Sequence, residues 1–180
     1  GAMKVRLENL TIENFKNVKR GQLSFANHRK AYRTSILGLY GQNGSGKTAL
    51  IDAIELLQCV LKGQPIPVKF ADYIHVEATT SKLCYEFSVL SDDETYQVFY
   101  ELVLQKEKIS TSQNTDANDN EEVHYKAVIA EEVLSYSYES KELKIRKSPL
   151  INTVSDKVFA PVGKYTCLVG KDKKLTISLM

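Results

Sequence analysis

Gly41-Gln42-Asn43-Gly44-Ser45-Gly46-Lys47-Thr48 matches the pattern G-x-x-x-x-G-K-[ST] at every defined position. These residue types in this order suit one chemistry, the holding of a polyphosphate. Glycines permit positive φ and leave no Cβ between the backbone and a phosphate. Successive backbone N–H groups can then converge as an anion-binding nest, helped by the positive end of a following helix. Lys47 is expected to place its ammonium on the β- and γ-phosphates. The Thr48 hydroxyl is the expected Mg²⁺ ligand, because Mg²⁺ prefers hard oxygen donors. The binding set is thus Gly41, Asn43, Gly44, Ser45, Gly46, Lys47, Thr48 and Ala49. A glycine-rich turn that only joins strand to helix has no need of Lys-Thr in these places. The signal is specific for nucleoside triphosphate binding and silent on the reaction that follows.

The elements on either side fit that task. Ser35-Ile36-Leu37-Gly38-Leu39-Tyr40 is a compact apolar run, the expected form of a strand buried on both faces. From Thr48 to Lys62 the period becomes helical, with Leu50, Ile51, Ile54, Leu57 and Leu61 recurring and no Gly or Pro inside. Gly63 is the expected stop, and Pro65 and Pro67 bar continuation. Upstream, Val5 and Leu7 alternate, Leu10 and Ile12 resume after a one-residue phase slip, and Gln22 to Phe25 is a second short strand. Downstream the pattern is alternation. Leu83 to Val89 and Tyr96 to Leu104 predict a hairpin across Ser91-Asp92-Asp93-Glu94. Leu134 to Tyr138, Leu143 with Ile145, and a hairpin of Tyr165 to Val169 with Leu175 to Leu179 extend the series. Residues 110–122, almost wholly polar, read as a mobile loop.

The 180 residues carry 24 Lys and Arg against 22 Asp and Glu, a formal net charge of +2. Bulk charge therefore gives no sign of a strongly basic nucleic-acid binder. No apolar run approaches the roughly 18 residues that span a bilayer, so no membrane partner is expected. Three separated cysteines (Cys59, Cys84, Cys167) suit neither a disulfide framework nor a zinc site, and a reducing cytoplasmic setting is expected. His28, His75 and His124 have no metal-like spacing and read as surface residues. The ten tyrosines fall on strand alternation and read as core and cross-strand pairs. Lys164 and Lys171 to Lys174 read as a solvated turn.

The interior of the glycine loop carries a resemblance. Asn43-Gly44-Ser45-Gly46-Lys47-Thr48 is similar to the N-G-[SA]-G-K-[ST] form of ABC-class P-loop ATPases of the RecF, SMC and OLD groups. Leu10-Thr11-Ile12-Glu13-Asn14-Phe15-Lys16-Asn17 resembles the I-x-N-F-[RK]-[SN] strand that opens those proteins, and Ala49 to Ile54 continues the likeness. Among these groups the chain looks closest to stand-alone bacterial AAA-family ATPases of RecF/OLD type. The resemblance implies ATP and Mg²⁺ as cofactors, with Asn43 and Ser45 near the γ-phosphate and Lys16 and Asn17 close to the nucleotide. It also implies a homodimer of heads in the full-length protein and a DNA or phage-defence protein partner. Asp52 reads as a solvent-facing helix residue.

Such an ATPase also needs a signature helix and an apolar strand ending in Asp-Glu, the latter to hold Mg²⁺ and activate water. Neither is present in the sequence. Val128-Ile129-Ala130-Glu131-Glu132 lacks the Asp, and the acids of Phe87 to Glu94 fall at the expected hairpin turn. Gln105 stays unassigned. The expected fold is thus α/β (α+β): the N-terminal lobe of a P-loop NTPase, read as a fragment. Its expected divisions are a cleavage scar (1–3), a nucleotide-binding core (4–67) and a large antiparallel β-subdomain (68–180). The expected activity is ATP binding here, with hydrolysis belonging to the full-length protein. Two rivals remain at this point: a small complete P-loop kinase or GTPase, and a β-rich binding module with a vestigial loop.

Overall fold

The phase slip between Leu7 and Leu10 is a β-bulge at Glu8 within one long strand, β1 (Lys4–Phe15). The bulge keeps Leu7, Leu10 and Ile12 opposite Phe87, Tyr85 and Leu83, all on one face. The computed structural model describes residues 3–25, 33–40, 46–109, 123–154 and 157–158. The expected loop 110–122 and the hairpin beginning at Tyr165 lie outside these residues, as do His28, Cys167, Lys164 and Lys171 to Lys174.

β1 turns into β2 (Val18–Ser24) through Lys16 and Asn17, at φ of 46° and 66°. Positive φ at both positions gives a two-residue turn whose twist matches the flanking strands. β3 (Arg33–Ile36) pairs with β2. After helix α1 (Lys47–Leu61) and a 3₁₀ segment (Val68–Tyr73) come β4 (Thr80–Ser91), β5 (Glu94–Ile109), β6 (His124–Glu139), β7 (Lys144–Asn152) and β8 (Lys157–Val158). Among the described residues the strands form one eight-stranded sheet in the order β3-β2-β1-β4-β5-β6-β7-β8, and each neighbouring pair is antiparallel. The fold is mixed α/β with a mostly antiparallel sheet. β1 lies between β2 and β4, so strands from before and after α1 share the sheet.

The β4–β5 hairpin turns at Asp92 and Asp93, at φ of 49° and 64°. α1 ends where Gly63 takes φ of 67°, with Gln64 N–H bonded to Cys59 C=O and Gly63 N–H to Val60 C=O. That pair of bonds satisfies the last carbonyls of the helix.

α1 and the 3₁₀ segment lie over the inner face of the sheet. Leu10, Ile12, Phe15, Leu83, Tyr85, Tyr100, Leu102 and Leu104 are buried there beneath Ala53, Leu56 and Phe70. Tyr85 donates its hydroxyl hydrogen to the Ala53 carbonyl at 2.5 Å, and Tyr100 donates to Glu132 Oε1 at 2.9 Å. Burial pushes both phenols up from their ordinary value; for Tyr100 the charge of Glu132 and the hydrogen bond to it add to the effect. The expected tyrosine pairs are present, Tyr85 against Tyr100 and Tyr96 against Tyr138.

Three expectations need correction. Ser35–Tyr40 is not a strand buried on both faces. β3 stops at Ile36, Gly38 takes φ of 134°, and Leu37 and Leu39 are 70% and 38% exposed, because β3 is the end strand among the described residues. Ile51, apolar and in helical phase, points outward, and the buried stripe of α1 is Ala49, Leu50, Ala53, Leu56, Leu57 and Val60. Leu143 precedes β7, because the Ser140 N–H and hydroxyl close a turn on the Leu143 backbone.

Candidate nucleotide-binding site

α1 begins at Lys47, directly after Gly46, and its first helical bond runs from Leu50 N–H to Gly46 C=O at 3.2 Å. The first turn of a helix leaves N–H groups without intrahelical partners. Gly46, the residue before the helix, offers no capping side chain, and no acidic residue lies in the first turn. Lys47 and Thr48 are exposed beside it, while the Ala49 side chain is 1% exposed in the core. Ala49 can therefore contribute its backbone N–H alone. Gly41, Asn43, Gly44 and Ser45 lie outside the described residues.

Gly46 has φ of −59°, so positive φ is not what this position requires. Space is. A Cβ here would lie 2.7 Å from Ile36 Cγ1 and closer still to Ile36 Cδ1. The helix start thus abuts the end of β3, and the missing side chain is what allows it. Gly46→Ala is expected to destabilise the fold by about 1–3 kcal/mol through overpacking. That lowers the melting temperature by roughly 3–10 °C, and Ile36→Ala in the same chain is expected to recover part of it. A melting temperature unmoved by Gly46→Ala would refute this account of the glycine.

The β1–β2 turn lies against both flanks of the glycine loop. Asn17 C=O accepts from the N–H of Tyr40, the residue before Gly41, at 2.6 Å. Lys16 reaches α1 on the other flank, where its ammonium bonds the Asp52 carboxylate. Its own N–H donates to Tyr73 C=O at 2.7 Å. Asp52 is therefore not a solvent-facing residue, because the turn covers it; its side chain is 13% exposed.

Sequence reasoning missed a second set around Tyr40. The Tyr40 ring stacks on His75 at 3.8 Å between centroids, its hydroxyl donates to Asn14 Oδ1 at 2.6 Å, and Lys19 Nζ lies 5.1 Å from the ring centre. His75 is half-buried in this stack and is not a simple surface residue. Asn14 also takes positive φ, so Asn14, Lys16 and Asn17 all hold conformations that asparagine tolerates better than most residues. The two asparagines in Asn14-Phe15-Lys16-Asn17 were the available sign of such a turn.

Glu132, in the stretch that lacks the Asp of a hydrolytic strand, is buried in β6. It accepts from Tyr100, and its N–H donates to Thr153 Oγ1 at 2.8 Å. Its role in this arrangement is to join β5, β6 and the residues after β7.

A family model for the AAA domain matches residues 9–164, spanning the β1–β2 turn, the glycine loop, α1 and the sheet as far as β8. The chain belongs to the AAA-domain family. No curated protein and no solved structure matches it. AAA domains form a family of P-loop ATPases, and members of that family generally use ATP with Mg²⁺. The residues present fit that group: a helix start whose first turn holds no acid, with an ammonium at its first position and a hydroxyl at its second. Among the described residues, no helix is long and apolar enough to cross a membrane.

Proposed function

We propose that this AAA domain is the N-terminal ATP-binding lobe of a RecF/SMC/OLD-like ATPase. The observation that carries the reading is the juxtaposition at α1. Lys47 and Thr48 open the helix, and the Asn14 to Asn17 turn is tied both to Tyr40 ahead of the glycine loop and to Asp52 behind it. The opening motif and the loop motif of the resemblance thereby become neighbours.

In this reading the backbone N–H groups from Gly41 to Ala49 receive the phosphates, and Lys47 neutralises charge on the β- and γ-phosphates. The Thr48 hydroxyl takes one position on Mg²⁺. Asn43 and Ser45 serve the γ-phosphate, and Lys16 and Asn17 bound the site from the turn. ATP with Mg²⁺ supplies a phosphoryl group whose transfer to water releases free energy. The domain's own contribution is positioning and charge neutralisation. Hydrolysis belongs to the full-length protein, in which two heads close on the nucleotide and act on a DNA or defence-protein partner.

Titration of the 180-residue chain with Mg-ATP tests the reading, with Lys47→Ala as the control. Saturable binding that Lys47→Ala strongly weakens is the expected result. Absence of binding at millimolar ligand overturns it. Steady turnover by this chain alone, lost in Lys47→Ala, would favour a complete P-loop enzyme instead.

A further inference from the structure

Asp52 lies four residues after Thr48 on α1, so the two side chains share a face of the helix about one turn apart. The Asp52 side chain is 13% exposed, while that of its partner Lys16 keeps 29% exposure. The Lys16 ammonium is also 4.8 Å from the centre of the Tyr73 ring, and its backbone is fixed by the bond to Tyr73 C=O and by φ of 46°. Carboxylate, aromatic face and turn thus hold one flexible stem in one place. An ammonium carries three donors, and the Asp52 oxygen takes one of them. With its side chain partly exposed and its carboxylate partner one turn along α1 from Thr48, this ammonium can serve a second anion without leaving the first.

Ordering a lysine side chain costs conformational entropy, and a stem already ordered before the ligand arrives removes that cost from binding. We propose that Asp52 is a positioning residue for nucleotide binding, holding the Lys16 ammonium where it meets the phosphates. The inference rests on the ATP-site reading of Gly46-Lys47-Thr48 and adds a role for a helix carboxylate. It runs against simple charge counting. An acid merely near a polyphosphate repels it, so neutralising the acid would tighten binding. An acid that positions a cation does the reverse.

The test measures Mg-ATP affinity of the 180-residue chain by titration calorimetry, together with the melting temperature of each variant without nucleotide. Asp52→Asn is expected to weaken Mg-ATP by about 3- to 10-fold, although it removes a negative charge. Lys16→Ala is expected to weaken it at least as much, and the double variant no more than Lys16→Ala alone. Asp52→Glu, which retains the carboxylate, is expected to keep most of the affinity. A purely structural clasp would instead move the melting temperature and leave affinity alone. Unchanged or tighter binding in Asp52→Asn, with Lys47→Ala still weakening it strongly, overturns the role of Asp52 and leaves the ATP site standing. Failure of Lys47→Ala to affect binding overturns the ATP site itself, and this inference with it.

Discussion

Replacing Lys47 by alanine is expected to lower Mg-ATP affinity by roughly 30- to 150-fold, about 2–3 kcal/mol, the worth of a charge-assisted hydrogen bond to phosphate. Three features make the effect large. The ammonium stands at the first helical position, next to N–H groups that the helix does not use. No acid in the first turn competes for it or weakens the positive end of the helix. Its side chain is exposed, so the loss falls on binding and not on folding. The melting temperature without nucleotide should accordingly stay within the range of an ordinary surface change, about 0.5 kcal/mol. Calorimetric titration of both proteins at one fixed ionic strength measures the ratio. A ratio below about threefold would remove Lys47 from the site, since that is close to what loss of a distant surface charge produces.

The second large effect is alkaline unfolding. Tyr85 and Tyr100 keep their protons in the folded state well above pH 10, chiefly because burial disfavours the phenolate. In the unfolded chain each ionises near pH 10. Above that pH the unfolded state binds fewer protons than the folded one, so stability is fully present below pH 10 and falls as pH rises past it. Each tyrosine that stays protonated in the fold contributes about 1.4 kcal/mol per pH unit, so the pair gives up to roughly 2.7 kcal/mol per unit above pH 10. Cys84, whose thiol is raised from 9.0 to about 11 by burial and then by Glu101, adds an earlier decline between pH 9 and 11. Urea unfolding at a series of pH values gives the slope directly. Tyr100→Phe should roughly halve the slope above pH 10. An unchanged slope in that variant would mean that another group drives alkaline unfolding.

Much of the sheet could be read from the sequence because its cues are local. Alternation with a phase slip gave β1 and its bulge at Glu8, and Asp92-Asp93 between two alternating runs gave the β4–β5 hairpin. Gly63 after a helical period gave the end of α1. Gly46, Lys47 and Thr48 were recognisable for the same reason, since the loop motif is contiguous. What could not be read depends on residues far apart in sequence. Asp52 looks solvent-facing until Lys16, 36 positions away, is brought over it. Tyr40 and His75 have no periodic relation to each other. Glu132 becomes a buried acid through Tyr100, a partner 32 residues earlier. Helical period alone places Ile51 with the core, but the face of α1 that meets the sheet is Ala49, Leu50, Ala53, Leu56, Leu57 and Val60, which leaves Ile51 64% exposed. Exposure of Leu37 and Leu39 likewise follows from the place of β3 at the end of the strand order.

The pairing of β1 with β4 also governs how this domain is made. Lys4 lies opposite Leu90 and Glu13 opposite Lys82, so that ladder closes around β2, β3, the glycine loop and α1. During synthesis, a chain that has emerged only through α1 can form the β1–β2 hairpin, but one edge of β1, from Lys4 to Glu13, still lacks its neighbour. The loop-closure entropy for β1–β4 must be met before α1 gains its inner-face partners on β4, including Tyr85. The nucleotide site should therefore mature late, when β4 leaves the ribosome, and not when its own motif does. Nascent chains ending near residue 70 should be protease-sensitive and unable to retain ATP, whereas chains carried past the β4–β5 hairpin should gain protease resistance and ATP retention together.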